Sequence, residues 1–299
     1  MGATNAIHTN SKFSEPFLHS INPISQEALM HESRACRISP AHLLLPCLAL
    51  MLFLCLAPAK AFAHFGTVIP SPAIVDQDTR QTEITFSFIH PFAQHGMDLA
   101  KPEQVSVVNM ASGTRRDITS SLTSIQLLDH QAWSATYKPR RPGAHAVVME
   151  PQPYWEPAED LFIKHWTKIY LAAFGGAQGW DEPVGLKTEI VPLTRPFGLY
   201  AGNAFQGRVL MNGEPVPEAE VEVEYYNKGG KAEAPNEHMV TQVVKADENG
   251  VFTYVPPRSG WWGFSALNEA DYTLEHDGKE KGVELGAVIW VQFLPWSGE

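Results

Sequence analysis

From residue 82 onward, apolar and polar side chains alternate repeatedly with a period of two, while the 3.6-residue spacing of an amphipathic helix is scarce. Across residues 82–90, Ile84, Phe86, Phe88 and His90 share one face, and Thr85 and Ser87 take the other. Residues 105–109, 133–137 and 144–149 follow the same rule. Residues 163–174 are rich in aromatic and β-branched side chains, which favours strand over helix. Gly175, Gly176 and Gly179 end that run, and a loop follows through Trp180 to Pro183. In residues 218–225, Ala219, Val221, Val223 and Tyr225 alternate with Glu218, Glu220, Glu222 and Glu224. A one-residue slip would bury that carboxylate row, so the pattern predicts a tightly fixed register with the glutamates outward. Asn249 and Gly250, between residues 243–244 and 251–255, predict a hairpin turn. The run Asp247, Glu248, Asn249, Gly250 lacks the remaining ligand spacing of a calcium loop and is read as that turn. The fold class expected is all-β.

Pro192, Pro196, Gly198 and Gly202 interrupt the strand pattern and mark a boundary. Beyond it, residues 207–223 (GRVLMNGEPVPEAEVEV) resemble the opening of carboxypeptidase-regulatory-like, transthyretin-type β-sandwich modules. Residues 247–254 and Gly260, Trp261, Trp262, Gly263 are similar to the next hairpin of that module. Two β-sandwiches (Ig-like or transthyretin-like) are therefore expected in series, over residues 64–196 and 197–299, with the second folding alone and without metal affinity.

The first 63 residues have a different character. Arg34 and Arg37 precede an apolar run at residues 43–56, and Ala61 and Ala63 supply the small −3 and −1 residues of a signal-peptide cleavage site. The run is shorter than the roughly 20 residues that span a bilayer. Polar sequence follows it at once, which argues against a buried core helix. Met30 makes a better start than Met1 for such a leader, and Leu54 before Cys55 is too large for a lipidation site. Residues 1–63 are thus expected to be removed after Ala63, delivering the chain to the periplasm without stable membrane insertion.

Removal changes the inventory. Cys36, Cys47 and Cys55 all lie in the leader, so disulfides and thiolate metal sites are excluded from the mature chain. It keeps 18 basic and 30 acidic residues, a net charge of about −12 against −11 for the whole. That balance opposes nucleic acid or anionic lipid as partner and suits cations.

Cleavage after Ala63 also makes His64 the first residue. A terminal histidine offers its α-amine and its imidazole Nδ1 to one metal as a chelate ring. Reference pKa values of about 7.7–8.0 and 6.5 let a metal deprotonate both near neutrality. Amine and imidazole nitrogen suit nickel, cobalt, copper and zinc. His90 ends a strand on its inward-parity face, and His95 follows five residues later. His165 shares parity with Ile163 and Ile169 and is expected to point inward, either as a satisfied core histidine or as a ligand. Glu150, Glu156, Glu159 and Asp160 surround Tyr154 and Trp155, a run that reads as a solvated loop or, beside imidazoles, as a source of an oxygen ligand. The candidate metal ligands are His64, His90, His95, His165, Glu150 and Glu156. His130, His145, His238 and His276 have no partners in local sequence and read as surface or packing residues.

Several stretches together resemble one exported family of unknown function, grouped with the periplasmic components of cobalt and nickel uptake systems. They are the start at His64, Phe65 and Gly66; Phe88 to Phe92 with Met97, Lys101 and Pro102; Glu150 through Asp160 to His165; and residues 184–193. The resemblance covers essentially all of residues 64–299. It implies a β-sandwich protein that passes nickel or cobalt to an inner-membrane transporter, with copper or zinc as other possible ions.

Two other functions compete. One is a metal-free structural or adhesive envelope protein, as the second module alone suggests. The other is a copper monooxygenase with a histidine brace, in which His64 joins His90 or His165, Tyr154 is axial, and Trp155, Trp166, Trp180, Trp261 and Trp262 form a polysaccharide platform. No Gly-x-Ser-x-Gly elbow, His-Glu-x-x-His helix or phosphate-cradling glycine loop occurs, so hydrolases find no support and no enzyme is expected.

Overall fold

A computed structural model describes residues 64–296 of the protein; the leader and its cleavage site after Ala63 lie outside the described residues. The described chain is built of strands, with short 3-10 turns at Thr119–Ser121 and Glu237–Met239. None of its helices is long and apolar enough to cross a membrane.

Three sheets form the body. The middle one runs in the order Thr241–Lys245, Glu220–Tyr225, Gly260–Glu269, Val283–Leu294, Leu161–Ala173, Gly143–Glu150, Gln104–Asn109, Thr114–Asp117. A front sheet has the order Phe65–Ser71, Thr82–His90, His130–Tyr137, Thr123–Leu127, with His95–Met97 added beside Thr82–His90. A back sheet joins Thr188–Pro192, Phe205–Met211 and Glu214–Pro215, and Val251–Tyr254 also pairs with Phe205–Met211.

Alternation along the middle strands supplies both interfaces, because successive side chains leave a strand on opposite faces. Val147, Met149, Ile169, Leu171, Val288 and Trp290 pack with Phe65, Ile84, Phe86 and Phe88 of the front sheet. Their neighbours Ala144, Ala146, Tyr170, Ala172, Ile289 and Val291 pack with Ile190, Phe205, Val209 and Phe252 of the back sheet. The expected all-β sandwich packing is present, and one middle sheet serves both interfaces. Val283–Leu294, beyond the proline- and glycine-rich boundary, lies parallel to Leu161–Ala173, before it, through seven registered pairs from Phe162–Val283 to Lys168–Ile289. Residues 192–202 connect Thr188–Pro192 to Phe205–Met211, which pair antiparallel in the back sheet, so the proline- and glycine-rich boundary falls inside one sheet.

Two local expectations change. Asn249 and Gly250 do make a turn, with Gly250 at φ +73° and the Asp247 carboxylate accepting the N–H groups of Asn249 and Val251. It is not a hairpin: Thr241–Lys245 stays in the middle sheet, whereas Val251–Tyr254 joins the back sheet. The glutamate row is not uniformly outward either. Ala219, Val221 and Val223 face the core as expected, but Glu224 is buried opposite them. The loop after Thr82–His90 covers it there, and Phe92 N–H donates to its Oε2 at 3.2 Å.

Candidate functional site

The front core ends in a group of imidazoles. His64 precedes Phe65–Ser71, and two features fix its position. Phe65 is fully buried beside Trp290, and the Trp290 indole N–H donates to Gly66 O at 2.8 Å. Gly66 lets this strand lie close on Leu161–Ala173, since a Cβ there would overlap Thr167 Oγ1. Thr82–His90 pairs with that first strand and brings His90 alongside, with ring centres 4.6 Å apart. Phe88 also stacks on His64, at 5.6 Å.

A carboxylate holds one nitrogen of the His64 ring. His64 Nε2 lies 2.9 Å from Glu156 Oε2, both side chains being 11% exposed. Glu156 sits on Tyr154–Glu156, which pairs with the start of Leu161–Ala173, and its other oxygen accepts the Ala158 N–H. Deeper in, His165 projects from the front face of Leu161–Ala173, as its parity predicts, and meets the Phe88 ring edge-on at 5.8 Å. Its Nε2 is bonded to Glu284 Oε1 at 3.1 Å, while Nδ1 is buried and has no hydrogen-bond partner among the described residues. Gly286 clears the ring, because a Cβ at that position would overlap it. A cavity of about 40 Å³ adjoins His165, with Phe88, Met149, Tyr154 and Ile163 in its wall.

The electrostatics follow from burial. The His64 imidazole is pushed down to about 4, chiefly because burial penalises its charged form. His90 and His165 lower it further, and Glu156 and Glu284 oppose them. Its neutral ring is the form that can ligate a metal.

The six candidate ligands therefore divide. His64, His90, His165 and Glu156 converge. His95 is exposed and stacks on His90 at 5.8 Å, one ring farther out. Glu150 does not join them: it shares the face of Val148, which packs with Trp166 and Leu186 on the other side of the middle sheet. Glu284 escaped the sequence reading. Its one signal was an acid at the same parity as Val288 and Trp290, and its partner is 119 residues away. Among the described residues, no three His, Cys, Asp or Glu side chains stand ready as a coordination sphere. The tryptophans do not assemble as a platform: Trp166 and Trp262 are buried on the far side of the middle sheet, and Trp155 stacks on His276 at 3.8 Å.

No curated protein matches the sequence. Among solved structures, the D0-D1 domain of intimin is similar at 15% identity and a TM-score of 0.21, over 78% of this chain and 100% of that one. Salmonella α2-macroglobulin is similar at 11% identity and a TM-score of 0.23, over 78% of this chain and 15% of that one. The fibronectin(III)-like modules of Clostridium thermocellum CbhA are similar at 9% identity and a TM-score of 0.19, over 78% and 98%. Likeness of that extent carries no inference for this chain. The model of a domain of unknown function, DUF4198, matches residues 61–270, well over half of the sequence, and the chain belongs to that family.

Proposed function

We propose that the protein, exported and cleaved after Ala63, binds a divalent transition metal at a centre organised by His64 and carries it in the periplasm to an inner-membrane transporter. Nickel or cobalt is the primary cargo, and the ligand chemistry also accepts copper or zinc. The resemblance of the chain to components of nickel and cobalt uptake supports the choice of cargo and partner.

One observation carries the reading: His64 gives Nε2 to Glu156 while its ring lies against His90. Nδ1 is then left for the metal, and it is the nitrogen that closes a chelate ring with the residue's own α-amine. A carboxylate on the remote nitrogen is the usual means of orienting a ligating imidazole and raising its basicity. Glu156 thus acts by holding His64 in place. Cleavage completes the site, since the amine exists only once Ala63 is gone.

His90 supplies the neighbouring imidazole, and His165 Nδ1 is a buried acceptor within the same group. Calorimetric titration of the exported protein with nickel, cobalt, copper and zinc at pH 7.5 tests this. His64→Ala is expected to abolish tight binding, and His90→Ala and His165→Ala to weaken it. Unchanged affinity in His64→Ala contradicts the centre, and no heat with any metal favours a metal-free envelope protein.

A further inference from the structure

Outside the His64 centre, nitrogen ligands are concentrated at the hairpin edge of the front sheet. His90 and His95 are register partners there, one on Thr82–His90 and the other on His95–Met97. Their rings stack at 5.8 Å with 23° between planes. His130 opens the next strand and faces His95 at 6.0 Å. Its ring lies against Gly96, where a Cβ would overlap it. The Asp98 carboxylate stands 3.4 Å from His130 Nδ1, so Nε2 is the ring nitrogen that does not face it. The rings of His64, His90, His95 and His130 thus form an unbroken row with steps of 4.6, 5.8 and 6.0 Å. The inner pair is the more buried, with the His64 side chain 11% exposed and His90 buried, whereas His95 is exposed and the His130 side chain is 35% exposed.

We propose that His95 and His130, with Asp98 positioning His130, form a solvent-facing capture site for a divalent transition metal, which then moves through His90 to the His64 centre. The inference rests on the metal-binding reading and adds a second site and a route. Metal–nitrogen bonds of about 2.0–2.1 Å place the ring centres of two imidazoles sharing one ion about 5–6 Å apart. The spacing of His95 and His130 matches that figure. His95 is exposed, so its ring turns toward the ion without disturbing the core. Asp98 faces Nδ1 of His130, whereas Glu156 and Glu284 face Nε2 of His64 and His165; a carboxylate on either nitrogen orients the ring and leaves the other for a metal. Neighbouring rings let the ion gain its next ligand before it loses the last, so it crosses from water to a buried site without passing through a bare state. The outer pair lacks a chelating amine and holds metal more weakly than the inner centre.

Nickel chloride is the probe, with calorimetry for stoichiometry and rapid mixing followed by tryptophan fluorescence for rate. The exported protein is expected to take up two equivalents, one tight and one weak. A His95→Ala/His130→Ala double variant loses the weak equivalent and fills the tight one at least about 10-fold more slowly, with its affinity little changed. Asp98→Asn, a milder change, weakens the outer site about 10–100-fold, as expected for an orienting carboxylate. His238→Ala, on an exposed turn remote in sequence, serves as the control and changes neither. Retention of both equivalents, or native filling rates, in the double variant overturns the capture site while leaving the His64 centre standing. Conversely, a single equivalent that survives His64→Ala but not the double variant upholds the outer site and removes the inner one. Absence of nickel binding in every form overturns both.

Discussion

Among the described residues, four imidazoles have one ring nitrogen facing a carboxylate: His64 on Glu156, His165 on Glu284, His130 on Asp98 and His276 on Asp277. Such pairs depend on exact ring placement, and at His165 the placement depends on Gly286. Gly286→Ala puts a methyl into the ring, and overpacking of this kind costs about 1–3 kcal/mol. Chemical denaturation is expected to show that loss, together with altered nitrogen chemical shifts for His165; native stability and shifts contradict the packing described. On the opposite face of the same strand, Lys168 Nζ and Glu189 Oε2 form a buried ion pair at 2.6 Å. Glu189 also accepts the N–H groups of Val184, Gly185 and Leu186. Burial disfavours both charges, yet Tyr170 and then Glu189 keep the lysine above its ordinary value, and Lys168 holds the carboxyl below its own. Glu189→Gln leaves the ammonium buried without its counter-charge, which costs about 3–5 kcal/mol; urea denaturation that shifts by less than about 1 kcal/mol contradicts it. The inward aim of His165 was readable from its parity with Ile163 and Ile169. Its partner was not, because nothing near Glu284 in sequence announces an imidazole on a neighbouring strand.

At the scale of the element, Glu220–Tyr225 shows how far alternation reaches. The pattern named the apolar face correctly but left open what lies over the other face, and there the loop at Phe92 buries Glu224. Burial pushes that carboxyl up to about 8, with Glu222 adding to the rise and the bonds from Thr241 and Phe92 opposing it. An unfolded glutamate titrates near 4.3. As pH rises, the unfolded chain therefore gives up its proton first, and folding stability falls from about pH 4.3 until the loss is complete above about pH 8. Glu224→Gln keeps an acceptor for Phe92 and a donor for Thr241 while removing the ionisation. Its melting temperature is expected to exceed that of the native protein at pH 8.5 and to lie close to it at pH 5. Parallel pH profiles for the two proteins contradict the assignment. The turn at Asn249 and Gly250 teaches the same lesson, since its residues specify a reversal but not the sheet that receives the next strand.

At the scale of the molecule, the shared middle sheet decides what can stand alone. The strands of residues 197–299 were legible from their own alternation, but their pairing with strands before residue 197 was not. The parallel pairing of Leu161–Ala173 with Val283–Leu294 joins segments 121 residues apart, and each strand has a self-sufficient apolar pattern. Residues 197–299 alone would expose one edge of Val283–Leu294 and the core residues that pack against Ala144, Ala146, Tyr170 and Ile190. In contrast to the expectation of independent folding, the fragment is expected to lack a cooperative thermal transition, and a sharp one contradicts the shared-sheet architecture. The same arrangement explains the position of His64, because Phe65–Ser71 of the front sheet is clamped by Trp290 from near the end of the chain.

The central claim is that metal binding depends on His64 being terminal and not merely present. It is tested most directly by comparing nickel affinity at pH 7.5 for the protein beginning at His64 with that for one carrying a single extra residue before it. The extension turns the amine into an amide and leaves every side chain in place. Loss of affinity well beyond the 10–100-fold typical of perturbing an orienting group is the predicted result. Equal affinity in the two forms would show that side chains alone make the site and would contradict the terminal chelate.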